Sequence, residues 1–556
     1  MRRLLLATLL VVLMAQAGIA STILIINNDG ANEGFNDPTP AAPVGGNPGT
    51  TVGAQRLNVF QHAANIWGGL LPSTITIRVA AQFNALTCTS TSAVLGSAGP
   101  VTVVRDFPGA EVPGTWYHIA LANKLSASDL SPGNDINATF NSSLNGSAGC
   151  LGGTGWYYGF DGNEGSNIEL LPVVLHELGH GLGFSTLVGS NGGQLQGAPD
   201  LYETFIRDNT QNKTWDQLTA QQRATSAVNT GNVVWNGFFV GAHAPFTLGG
   251  TPKLYTNSPA SLPDVMALGR ASFGAAIDET GVTGNVVLVN DGTGTTSDGC
   301  EPLINGGAIS GNIALIDRGT CAFTLKALAA QNAGAIAVII ANNVAGPANE
   351  LGGSDPSVVI PVVSVSQSDG NLIKAELGGG VNVTLALDPD DLAGADANGR
   401  VQLYAPNPYE SGSSISHWDT PAFPDLLMEP FINDALSSDV DLTLAAFTDL
   451  GWLDNLPTGV PPGRRNVVAL SNYPNPFNPL TTIRYEVSPA QDVTLSIYDV
   501  NGGLVRSFGR AAKVQGVRET QWDGRDNRGV AVASGVYYAR LSTPQQTLTR
   551  KIVLLK

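Results

Sequence analysis

Apolar residues alternate with polar ones in short runs along most of the chain, and at four places they recur instead at the three- and four-residue spacing of a helix. The first alternating run, Thr22–Asn27, predicts a strand. Leu57–Trp67 predicts a helix, and Ile75–Phe83 a second strand. A glycine-rich, strand-like stretch then continues to Phe160. Leu170–Phe184 predicts one helix: Pro172 is tolerated in its first turn, and Gly181 and Gly183 mark its end. From about residue 270 the texture changes. Val286–Asn290, Ile313–Asp317, Ala335–Ala341 and Val358–Val365 are short apolar runs between turn signals, with a helical pattern at Thr324–Ala333. A last helix is predicted at Thr443–Leu450. Beyond Pro457-Thr458-Gly459-Val460-Pro461-Pro462-Gly463, a sequence that resists regular structure, Thr482–Val487, Val493–Asp499 and Gly535–Leu541 alternate as strands of a small β-sandwich.

A chain of 556 residues exceeds what one core can hold, so several folding units are expected in a multidomain α+β protein. Its 66 glycines and 33 prolines fit a loop-rich, strand-rich protein of extracellular type. Residues 1–20 predict an export signal: Arg2 and Arg3 precede an apolar run, Leu4–Met14, and small residues ending at Ala20. No later segment is long and apolar enough to span a bilayer. The formal charge is −17, and loss of the two signal arginines brings it to −17 − 2 = −19, which opposes nucleic acid as a partner. The four cysteines after the signal, an even number, predict two disulfides. Cys88–Cys150 and Cys300–Cys321 are the preferred pairing, because each bond then stays within one unit.

The strongest chemical signal is His176-Glu177-Leu178-Gly179-His180 within the predicted helix Leu170–Phe184. Four-residue spacing on a helix brings both imidazoles to one face, where they can share a Zn²⁺ ion, and Glu177 stands ready as general base. A third ligand is required. The position that would supply it in the compact His-x-x-Gly-x-x-His pattern is Thr186, so it must come from elsewhere: His243, His417, Asp200 and Glu203 are the candidates, with His62 and His118 expected to be ordinary core or surface histidines.

The run His176 to Ser185, together with Ser416-His417-Trp418 and Leu427-Met428-Glu429-Pro430, resembles the leishmanolysin-like metzincins. The resemblance implies a zinc endopeptidase with His417 as third ligand and Met428 in a turn beneath the metal. It also implies a long insertion between helix and third histidine, and a substrate-pairing edge strand upstream. That edge role is assigned to Asn134–Asn141, where Ile136, Ala138 and Phe140 alternate.

Gly311 to Phe323, continued by Lys326 to Ala341, resembles a protease-associated (PA) domain. The expected organisation is a protease domain in two parts, 21–268 and 388–456, interrupted by a PA domain at 269–387, then a linker at 457–465 and a terminal domain at 466–556. Asp388, Asp390, Asp391 and Asp396 offer oxygen ligands for a structural Ca²⁺. In the terminal segment, Tyr473 to Pro479, Ile497-Tyr498-Asp499, Trp522 to Arg525 and Gly535-Val536-Tyr537 resemble the immunoglobulin-like sorting domains of type IX secretion cargo, or a related FlgD-like module. This implies the type IX machinery as a partner and release from, or residence on, the outer surface of a Gram-negative bacterium. The expected function is a secreted zinc endopeptidase acting on proteins or peptides. The alternatives are a binding or adhesion protein with a vestigial metal site, and a zinc amidase acting on cell-wall peptides.

Overall fold

The computed structural model describes residues 21–278, 280–432, 440–453, 467–473, 477–499, 503–543 and 547–555. The predicted signal at 1–20 and the linker at 457–465 lie outside them. Among the described residues no helix is long and apolar enough to cross a membrane. The chain divides into two units, Met1–Leu453 and Asp454–Lys556.

In the first unit, strands Ile23–Asn27, Ile77–Asn84 and Ile136–Asn141 run parallel, and Gly96–Pro100 is added antiparallel at the edge. The Ile136–Asn141 strand is therefore paired on both sides. This corrects the substrate-edge reading of Asn134–Asn141: its alternation reflects one buried face, with Ile136, Ala138 and Phe140, and one more open face, and the edge on this side of the sheet is Gly96–Pro100.

Helix Val52–Leu70 starts at Thr51, whose hydroxyl accepts the Ala54 N–H, and buries Val59, Phe60, Ala63 and Trp67 against the sheet. Helix Leu170–Leu182 is buried over its entire length, as its all-round apolar sequence demands. Two tryptophans hold it in place. Trp67 Nε1 donates to the Leu175 carbonyl at 3.0 Å, and Trp452 Nε1 donates to the Leu182 carbonyl at 2.9 Å.

An eight-stranded sheet interrupts this domain. Its centre is parallel, with Val282–Leu288, Ile313–Asp317, Ala337–Ala341 and Val362–Val365 in succession. Its outer strands Gly250–Ser258 and Asn382–Leu392 pair antiparallel and reach beyond residues 269–387. One face is filled by Leu254, Ile313, Leu315, Ile339 and Val383, the other by Ala314, Ile316, Ala327, Val338 and Ile340. Near-continuous burial on both faces is why these strands are unbroken apolar runs. Helix Phe323–Asn332 covers the second face close to the range its spacing predicted.

In the second unit, hydrogen bonds record one five-stranded antiparallel sheet rather than two separate ones. The long strand Thr481–Asp499 pairs with Val467–Tyr473 along its first half and with Gly535–Ser542 along its second, and its pairing with Leu504–Trp522 shifts register between Val487 and Val493. Phe477, Ile483, Leu495, Ile497, Trp522 and Leu541 form its core. Both expected disulfides, Cys88–Cys150 and Cys300–Cys321, are present.

Candidate metal centre

His176 and His180 project from one face of helix Leu170–Leu182, and His417 comes from the far side of the inserted sheet in the chain. The three Nε2 atoms form a nearly equilateral triangle: 3.1 Å from His176 to His417, 3.1 Å from His180 to His176, and 3.2 Å from His180 to His417. Each ring is held from behind by a carbonyl. His176 Nδ1 donates to Leu427 at 2.7 Å, His180 Nδ1 to Phe184 at 2.8 Å, and His417 Nδ1 to Ser413 at 2.7 Å.

These bonds decide the tautomer. With Nδ1 protonated and donating, every Nε2 carries a lone pair, so three acceptors face one another with no hydrogen to share. Burial keeps the rings neutral. It lowers His176 to about 3 and His180 to about 4, and takes His417 well below the usual imidazole range. Nitrogen ligands on a tetrahedral zinc at about 2.0–2.1 Å lie about 3.3–3.4 Å apart, so this donor set fits the ion closely. The backbone carbonyls supply the orienting outer partners that such histidines use.

Glu177 lies between the motif helix and the edge strand. A Cβ on Gly96 would come 3.2 Å from the Glu177 Cγ. Burial pushes the carboxyl up to about 8, against a backbone N–H from Ala98 that pulls it down. A cation held by the neighbouring nitrogens would favour the carboxylate.

The floor of the site is the turn around Met428. The side chain of Met428 is completely buried. The turn is closed by the Glu429 N–H donating to the Leu426 carbonyl at 3.1 Å, and by the Glu429 carboxylate accepting the Leu426 N–H at 2.7 Å. Asp441 accepts the Leu427 N–H from behind. A Cβ at Gly179 would fall 2.7 Å from the Met428 sulfur, so glycine is what lets helix and turn meet. Gly179→Val is expected to cost about 1–3 kcal/mol by overpacking, read as a lower urea midpoint with an unchanged slope. Gly183, at φ 129°, then turns the chain so that the Phe184 carbonyl returns to His180.

The other candidates go elsewhere. His243 is exposed on helix Phe238–Thr247, its Nδ1 donating to the Phe239 carbonyl. Asp200 accepts from Thr186 Oγ1 at 2.8 Å and from the backbone of Leu187 and Glu203. Glu203 pairs with Arg223 at 3.4 Å. His62 stacks on Phe160. His118 is buried, bonded to Ser185 Oγ at 2.8 Å, and lowered to about 4 by burial and then by His180. The acidic run does not converge either. Asp391 pairs with Lys253 at 2.6 Å, Asp396 pairs with Arg400 at 2.6 Å, and Asp388 lies on the Asn382–Leu392 strand. Among the described residues none of these three joins a metal-holding group, and the side chain of Asp390 lies outside the described ones. The calcium expectation there thus has no support, because protein cations already meet two of its carboxylates.

Comparison with known proteins locates two modules. Residues 274–373 match the PA domain family and residues 481–546 the FlgD Ig-like domain, so the chain carries both. A probable lipoprotein aminopeptidase, LpqL, of Mycobacterium tuberculosis is 39% identical over 102 residues, 18% of this chain and 19% of that protein. The minor extracellular protease Vpr of Bacillus subtilis is 27% identical over 205 residues, 34% of this chain and 24% of that one. Among solved structures, BSAP, a zinc aminopeptidase from Bacillus subtilis, shares 27% identity over 31% of this chain and 38% of its own, with a TM-score of 0.19. The chain spans less than a quarter of the length of these two curated relatives.

Proposed function

We propose that the chain is a secreted zinc endopeptidase of the leishmanolysin-like metzincin type. The observation that carries this reading is the convergence of three buried, neutral imidazole nitrogens within 3.2 Å of one another, beside Glu177. Zn²⁺ held there would polarise a scissile carbonyl and make water a nucleophile near neutral pH. The chain supplies the rest. Glu177 takes the proton of the attacking water and returns it to the leaving amine. The Gly96–Pro100 edge, next to Glu177, accepts an extended peptide as an added strand. The carbonyls of Leu427, Phe184 and Ser413 keep the imidazoles oriented.

Strand addition grips a main chain without needing its free amino terminus. That favours internal cleavage over the aminopeptidase activity for which the Mycobacterium tuberculosis relative is named. The FlgD Ig-like module fits export through type IX machinery to the outer surface of a Gram-negative cell, or release from it. The test is digestion of an unfolded casein-type substrate. Internal fragments that disappear with a zinc chelator and return with Zn²⁺ are expected. Stepwise trimming from the amino terminus would replace endopeptidase by aminopeptidase. Cleavage of cell-wall peptides alone would select the amidase, and no cleavage of either would select a binding protein.

A further inference from the structure

Besides the histidine triad, one other group of side chains among the described residues brings metal-ligating atoms together. Asp291, Asp298 and Glu301 each place a carboxylate oxygen within 4.8 Å of the other two. They belong to the loop that follows strand Val282–Leu288 of the inserted sheet and contains Cys300 of the Cys300–Cys321 disulfide. Asp291 is 4% exposed and Asp298 9%, whereas Glu301 is exposed and closes the group from the solvent side.

The loop is folded around these carboxylates. The Asp291 N–H donates to the Thr296 carbonyl at 2.9 Å, and the Asp298 N–H to the Thr295 carbonyl at 3.0 Å. Asp291 Oδ1 accepts the Thr293 N–H at 3.3 Å, and Asp298 Oδ1 accepts the Cys300 N–H at 3.1 Å. Asp291 Oδ2 is different: it is buried and has no hydrogen-bond partner. A buried anionic oxygen left bare is strongly unfavourable unless a cation meets it. Burial pushes the Asp291 carboxyl up, but the backbone N–H groups of Thr293, Glu301 and Cys300 and the Asp298 side chain outweigh that and hold it below the usual range.

Lys326 does not fill this need. Its ammonium is buried, donates to the Asp298 backbone carbonyl and lies 3.4 Å from Cys300 Sγ, and among the described residues no ion pair joins it to the three carboxylates. The adjacent Asp317 is met by Lys374 at 2.8 Å. Three carboxylates and the one nearby ammonium leave −3 + 1 = −2, the charge a single divalent cation balances.

We propose that Asp291, Asp298 and Glu301 bind one Ca²⁺ ion that locks the 291–301 loop onto the inserted domain. The donors are all oxygen, which selects a hard cation over zinc, and an irregular loop suits the adaptable coordination of calcium better than the strict octahedron of magnesium. The site is separate from both the histidine triad and the 388–396 acidic run. It does not depend on the chain being a peptidase.

Calorimetric titration of CaCl₂ into the chelator-washed full chain, followed by thermal unfolding with and without calcium, tests this. One Ca²⁺ per chain is expected, with a dissociation constant of about 0.1–1 mM, the range of extracellular modules, and a higher unfolding temperature in its presence. Asp291→Asn should abolish binding, and Glu301→Gln, at an exposed position where folding is not at stake, should weaken it about tenfold or more. His417→Ala should leave it unchanged. No uptake up to about 10 mM, wild-type affinity in Glu301→Gln, or loss of binding in His417→Ala would each overturn the assignment.

Discussion

Replacing His417 by alanine is expected to reduce zinc affinity by more than about 100-fold and to abolish peptide hydrolysis, while the chain stays folded. Losing an outer hydrogen-bond partner of a metal-binding histidine already costs about 10–100-fold, and this substitution removes a ligand outright. His176 and His180 would remain on their helix with their carbonyl partners intact, so the variant isolates the contribution of the third nitrogen. The structural cost is modest: one hydrogen bond to Ser413, worth about 1 kcal/mol, and a small cavity. Equilibrium dialysis with zinc, with the far-ultraviolet spectrum as a control for folding, reads both quantities. Stoichiometric tight zinc in His417→Ala would remove this residue from the ligand set.

Glu177→Gln is expected to lose turnover as well, but to keep its zinc. The side chain keeps its shape, and its amide oxygen can still accept the Ala98 N–H that the carboxylate accepts now. Zinc content should stay at one per chain. Turnover should fall by about 10²–10⁴-fold, the usual contribution of a positioned general base. A fall in kcat with little change in KM would identify an interaction made in the transition state. Unchanged cleavage by this variant would show that another group moves the proton. Together the two variants separate metal holding from proton transfer.

Much of this could be read from local pattern. The motif helix was legible because it is apolar on every side and ends in glycine, and its burial follows from that composition. The parallel strands of the inserted sheet were legible because they are unbroken apolar runs buried on both faces. His417 was different. It lies 237 residues from His180 in the chain, and no periodicity connects them. Only the resemblance of its flanking residues singled it out, and the triangle of nitrogens is the independent observation that supports the choice.

The failures have physical causes. Gly96-Ser97-Ala98-Gly99-Pro100 has too little apolar character to announce a strand, yet small residues are what allow it to lie against Glu177. The alternating Ile136–Asn141 strand took the edge role by default, since alternation reports a pleat and says nothing of neighbours. Asp391 resembles a calcium ligand in the sequence because its partner Lys253 becomes adjacent only on folding, whereas Asp396 is met locally by Arg400, four residues on. Conversely, nothing in the local sequence marks Asp291 and Asp298 as ligands. Seven residues apart in a glycine-rich stretch, they show no recognised ligand spacing, and it is the closed loop that brings them together.

Anomalous diffraction at the zinc edge, from crystals of the full chain supplied with one equivalent of Zn²⁺, would locate the ion itself. A single dominant peak about 2.0–2.1 Å from the Nε2 atoms of His176, His180 and His417 is expected, and it should disappear in His417→Ala. A peak bound by only two of these histidines, or one located elsewhere on the chain, would contradict this ligand set.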